Sequence, residues 1–120
     1  MKTENVIQDK SFAFAIKIVN AYKFLISQKK EFVLSKQLLR SGTSIGANIE
    51  EALGGQSKAD FIAKISISYK EARETIYWLK LLNATEYFTN NEAKELLVDA
   101  EEICRILGKI QISMKQSLSK

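Results

Sequence analysis

A chain of 120 residues has the length of one domain and can bury one core. It holds no proline, no histidine and only five glycines, which points to an all-helical chain and excludes a histidine-based catalytic triad. The net charge of +4 is unevenly spread: residues 1–48 carry eight Lys/Arg against three acids, and residues 49–120 carry ten against eleven. That basic first half reads either as a solubilising surface or as an electrostatic footprint for a polyanion.

Four helical segments follow from apolar spacing and end signals. The first is expected over about residues 10–28. Phe12, Ala15, Val19, Tyr22 and Ile26 form one stripe and Phe14, Ile18, Ala21 and Leu25 a second, wider together than one neighbouring helix needs. The second helix is expected to start at Ser35 as N-cap, with Leu34 and Leu39 as a hydrophobic staple. Its buried stripe is Leu38, Gly42, Ile45, Ile49 and Ala52, and Gly54-Gly55 ends it. Gly42 and Gly46 lie four apart on one side. Each costs a helix about 1 kcal/mol relative to Ala, which close approach of another helix would offset.

The third helix opens with Ser57 and Asp60, a variant capping box, and its stripe is Ile62, Ile65, Tyr69, Ala72, Ile76 and Leu79. Thr89 and Glu92 open the fourth as another capping box. Its stripe runs Ala93, Leu96, Ala100, Ile103, Leu107, Ile110 and Met114. Short connections force antiparallel neighbours, so the fold expected for residues 1–120 is one all-α domain, an up-down-up-down antiparallel four-helix bundle.

The residues offer little catalytic chemistry. Cys104 is the only cysteine and lies one step from the Ile103 stripe, as a core thiol would. Gly54-Gly55 lacks the rest of a phosphate-binding loop. Glu50, Glu51, Glu71 and Glu74 have no histidine to complete a di-metal site. No enzyme activity, metal or cofactor is expected. The first ten residues are polar rather than apolar, so no secretory address is read and the cytoplasm is the expected location. No apolar run reaches the ~20 residues of a membrane span.

Ile67, Trp78 and Leu81 share one side of the third helix, interleaved with Glu71 and Glu74. Ile67 points away from the stripe holding Ile65. The group is either a subunit interface or a set of side chains packed at a wide helix–helix seam.

The stretch Leu39-Arg40-Ser41-Gly42-Thr43-Ser44-Ile45-Gly46-Ala47-Asn48-Ile49-Glu50-Glu51-Ala52 resembles a bacterial family motif. So do Ser57-Lys58-Ala59-Asp60-Phe61, Lys70-Glu71-Ala72-Arg73-Glu74 and Trp78-Leu79. The family comprises small four-helix bundles related to the 23S rRNA intervening-sequence protein, sometimes labelled a ribosomal protein. The accessory protein of diversity-generating retroelements is a more distant relation. Gly46 departs from the pattern, since many members carry proline there. The resemblance implies a ring-shaped homopentamer without catalytic residues. It also suggests binding to nucleic acid or to a nucleic-acid-handling protein.

Within this motif Ser44 and Asn48 are expected to hydrogen-bond between helices or across subunits. Arg40, Glu50 and Glu51 are expected to pair with the third helix or a neighbouring subunit. Two functions remain open. One is a non-enzymatic homo-oligomeric scaffold that binds RNA or DNA without sequence preference. Its contacts would be Lys10, Lys17, Lys23, Lys29, Lys30, Lys36 and Arg40. The other is a protein-binding adaptor whose basic surface is incidental.

Overall fold

The computed structural model describes residues 2–119, with side chains from Val6 to Ser117. Four helices follow in chain order: α1 (Lys2–Ser27), α2 (Leu34–Leu53), α3 (Lys58–Ala84) and α4 (Asn90–Ser119), with no strand among the described residues. Consecutive helices pack side by side, and α4 returns to α1 along the sparsest of the four seams. The result is a rod of 51 × 21 × 21 Å. Its ends are the loops, with the α1–α2 and α3–α4 connections sharing one end.

The α4 stripe is buried as expected through Ile110, with Met114 half-buried. All five residues of the α2 stripe are buried too. Gly42 lies tight against α1: a Cβ there would lie 2.8 Å from both Cγ atoms of Ile18. The caps of α3 and α4 form as read. Ser57 Oγ accepts from the Asp60 amide at 3.0 Å. Thr89 and Glu92 bond reciprocally, at 2.8 and 3.2 Å.

Several expectations need correction. The first helix starts at Lys2 rather than near residue 10. Ile7 is fully buried and extends the core row Ile7, Ser11, Phe14, Ile18 and Leu25 one turn and more toward the N-terminus. The stripe through Phe12 is not core, since Phe12 is 70% exposed.

Ser35 is not the N-cap of α2, and its hydroxyl instead donates to the Glu31 carbonyl at 2.7 Å. The Glu31 carboxylate caps the helix by accepting from the amides of Val33, Leu34 and Ser35. Leu34 is then the first helical residue, so the expected staple loses its frame.

On α3 the fully buried row passes through Ser68 and Thr75, while Tyr69 and Ile76 are half-buried beside it. Small hydroxyls fit there because α2 supplies partners. Ser68 Oγ donates to the Ile45 carbonyl at 2.8 Å, and the Thr75 and Ser41 hydroxyls bond at 3.0 Å. Ser44 and Asn48 bond back to their own helix, to the carbonyls of Arg40 and Ser44, rather than between helices.

Candidate functional site

The seven basic residues singled out from the sequence separate into two groups. Lys10, Lys17 and Arg40 lie over helix seams and are matched by carboxylates. Lys10 Nζ is 2.9 Å from Glu102. Lys17 Nζ bridges Asp99 at 2.7 Å and Glu95 at 3.2 Å, and these hydrogen bonds hold its ammonium above the usual lysine range. Both pairs tie α1 to α4 along their sparse seam. Arg40 reaches from α2 to Glu71 at 2.8 Å and, more closely, to Glu74 on α3.

Lys23, Lys29, Lys30 and Lys36 are exposed and make no ion pair among the described residues. They cluster at the end of the rod around the α1–α2 loop. Lys29 lies over the Phe24 ring, 5.8 Å from its centroid. Lys30 has φ 54°, in the left-handed region. Beside them stand Phe32, 54% exposed, and Val33, 72% exposed. Neither was expected as a surface feature. Both sit in the short gap before the second helix.

The three residues proposed for an interface divide as well. Ile67 is exposed, Leu81 is half-buried, and Trp78 packs against the core. The Trp78 indole N–H donates to Glu74 at 2.9 Å, so Trp78, Glu74, Arg40 and Glu71 form one network across the α2–α3 seam. Larger apolar exposure lies elsewhere: Phe12 and Ile16 on α1, Tyr77 on α3, and Val98 and Ile112 on α4. Of the remaining motif carboxylates, Glu51 pairs with Lys64 on α3, whereas Glu50 accepts from Gln8 on α1 rather than pairing with α3 as expected.

A shallow groove of about 430 Å³ runs along the α3–α4 seam, lined by Tyr69, Ile76, Cys104, Gly108 and Ile112 among others. Burial pushes the Cys104 thiol up from its ordinary value, against the partial opposition of Arg73 and Arg105. A thiol so placed stays protonated at neutral pH, the reverse of an activated nucleophile. No group of three or more acidic or cysteine side chains is placed to hold a metal ion among the described residues. No described helix is long and apolar enough to cross a membrane.

No curated protein matches the chain significantly. A solved structure does: a crystal structure of a protein of unknown function from the S23 ribosomal protein family of Bacteroides thetaiotaomicron. It is 56% identical, with a TM-score of 0.89 over 91% of this chain and 97% of that one. The family described as 23S rRNA-intervening sequence protein matches residues 3–109, nearly the whole bundle. By that match and that likeness, the chain belongs to the 23S rRNA-intervening sequence protein family.

Proposed function

We propose that this protein is a non-catalytic, self-associating scaffold that presents a basic end to RNA or DNA. The observation that carries the reading is the division of its cations. Lys10, Lys17 and Arg40 hold helices together, whereas Lys23, Lys29, Lys30 and Lys36 are left without carboxylate partners at one end of the rod. Uncompensated cations gathered at one place attract phosphate backbones by releasing their counterions.

Self-association rests on the exposed apolar residues of α1 and α3, chiefly Phe12, Ile16, Ile67 and Tyr77. A monomer gains nothing by keeping these in water. Assembly would repeat the basic end on one body, so that weak contacts add through multivalency. The same apolar exposure also serves the second reading, a protein-binding adaptor.

Light scattering measures the first half of the proposal. The expected mass is a multiple of the 13.6 kDa subunit, five-fold for the ring that the family resemblance implies. Salt titration of nucleic-acid binding measures the second half. Changing Lys23, Lys29, Lys30 and Lys36 together to Gln should abolish binding at low salt. Changing Lys10 and Lys17 to Gln should leave it nearly unaltered. A parent that binds no nucleic acid at the lowest salt refutes this half and leaves the adaptor.

A further inference from the structure

We propose that the α1–α2 loop is a stacking platform for an unpaired nucleic-acid strand, with Phe32 as the base-contacting residue. The inference rests on the reading of the protein as a nucleic-acid binder and adds the class of strand and the residue that selects it.

Three features coincide in six residues. The first is a fixed backbone. Glu31 is 7% exposed, and its carboxylate accepts from the amides of Val33, Leu34 and Ser35 at 2.9–3.0 Å. Its own amide donates to the Leu25 carbonyl at 3.0 Å, and its carbonyl accepts from the Ser35 hydroxyl at 2.7 Å. The loop is thus tied to both helices it joins. The second is strain, since Lys30 occupies the left-handed region that a glycine would adopt more easily. The third is display: this fixed and strained loop holds Phe32 and Val33 out in water. A left-handed residue just past a helix end is a common way to stop a helix, and Glu86 does the same after α3, so the conformation of Lys30 serves to fix the path of the loop.

The chemistry around the pair selects the ligand. Lys29 and Lys30 precede it, separated from it by the buried Glu31, Lys36 follows on the first turn of α2, and Lys23 stands on the last turns of α1. An aromatic face among unpaired cations suits a strand that offers both phosphates and exposed bases. A duplex hides its base faces, so Phe32 has nothing to stack on there. Val33 adds apolar contact for a base edge or sugar. The lysines carry no donor pattern that distinguishes one base from another, so binding is sequence-tolerant. A lipid surface fits less well, because two apolar residues are a small area beside the wide apolar face that holds an amphipathic helix in a bilayer.

The test is fluorescence anisotropy on the full-length protein at low salt. The probes are labelled single strands of RNA and DNA of about 12 nucleotides, within the usual site size, and a duplex of equal length. The parent should bind both single strands more tightly than the duplex. Phe32→Ala should weaken single-strand binding by about 5- to 50-fold and leave duplex binding within about twofold. Phe32→Trp should retain single-strand binding. Because Phe32 is exposed, the Ala variant should melt with the parent, which separates lost contact from lost fold. Equal single-strand affinity for parent and Phe32→Ala, or a preference for duplex, overturns the platform while leaving the basic-end reading intact. Failure of every probe to bind the parent refutes both. Phe32-dependent binding to phosphatidylserine vesicles, without Phe32-dependent binding to oligonucleotides, assigns the loop to membranes and also overturns it.

Discussion

Gly42→Ala tests the close approach of α1 and α2. In an isolated helix the change would stabilise by about 1 kcal/mol. Here the added Cβ would meet both Cγ atoms of Ile18 at 2.8 Å and its Cδ1 at 3.1 Å. Ile18 is fully buried and β-branched, so a helix leaves it one strongly preferred χ1 and no easy escape. Overpacking of this kind costs roughly 1–3 kcal/mol. Overpacking outweighs propensity, and the net loss should be about 1 kcal/mol, or roughly 3–6 °C in Tm for a chain of this length. Gly46→Ala is the control. Its nearest neighbour would be the Ser11 Oγ at 3.3 Å, the end of a small side chain that can give way. That variant should be neutral, or more stable by up to about 1 kcal/mol. Adding Ile18→Ala to Gly42→Ala should give less destabilisation than the two single changes sum to. Urea unfolding at one fixed protein concentration is the assay, because self-association shifts midpoints by mass action. A Gly42→Ala protein more stable than the parent would refute the packing argument. So would equal damage at positions 42 and 46.

Two further outcomes follow from single carboxylates. Glu31→Ala removes the acceptor for three amides at the start of α2 and should cost about 1–3 kcal/mol. Hydrogen exchange at Val33, Leu34 and Ser35 should accelerate, and unchanged exchange would show that the cap is not formed. Glu74 gives a pH signature. The Trp78 indole N–H, and then Arg40, hold its carboxyl below its ordinary value of 4.5. A depressed carboxylate pKa contributes stability that is present above pH 4.5 and lost as pH falls through the lower folded value. Melting temperature should therefore drop on acidification below about 4.5, and Glu74→Gln should flatten that limb. Identical acid limbs in parent and variant would remove the network from the stability argument.

The bundle itself was legible because its signals are local. Seven apolar residues at three-four spacing on α4, and the Thr89/Glu92 pair before them, need no knowledge of the rest of the chain. Gly42 was legible for a related reason: a glycine in a helical stripe is unfavourable unless something comes close. The errors arise where a neighbour decides. The stripe expected on α3 passes through Tyr69 and Ile76 and leaves out Ser68 and Thr75. In the fold they are core, because α2 offers a carbonyl and a hydroxyl at the right depth. Glu31 counted as one of three acids in a basic half, yet its carboxylate is directed at the start of α2, three residues away. An acid just ahead of a helix start is a visible capping signal, and Ser35 masked it by being a good cap type itself.

Charge shows the same limit more sharply. Lys10 and Lys17 are indistinguishable from Lys23 and Lys30 as letters, and all four fall on or near the same helix. What separates them is distant in the chain: Glu102 lies 92 residues from Lys10, and Asp99 lies 82 from Lys17. A count of cations per segment therefore overstates what is free to meet a partner. Among the described residues, Lys10 and Lys17 are claimed by α4 and Arg40 by α3, and Lys23, Lys29, Lys30 and Lys36 gather around the loop that also carries Phe32 and Val33. The surface proposed to meet nucleic acid is thus defined by subtraction: the cations that internal carboxylates do not claim, together with the apolar side chains that the core does not bury.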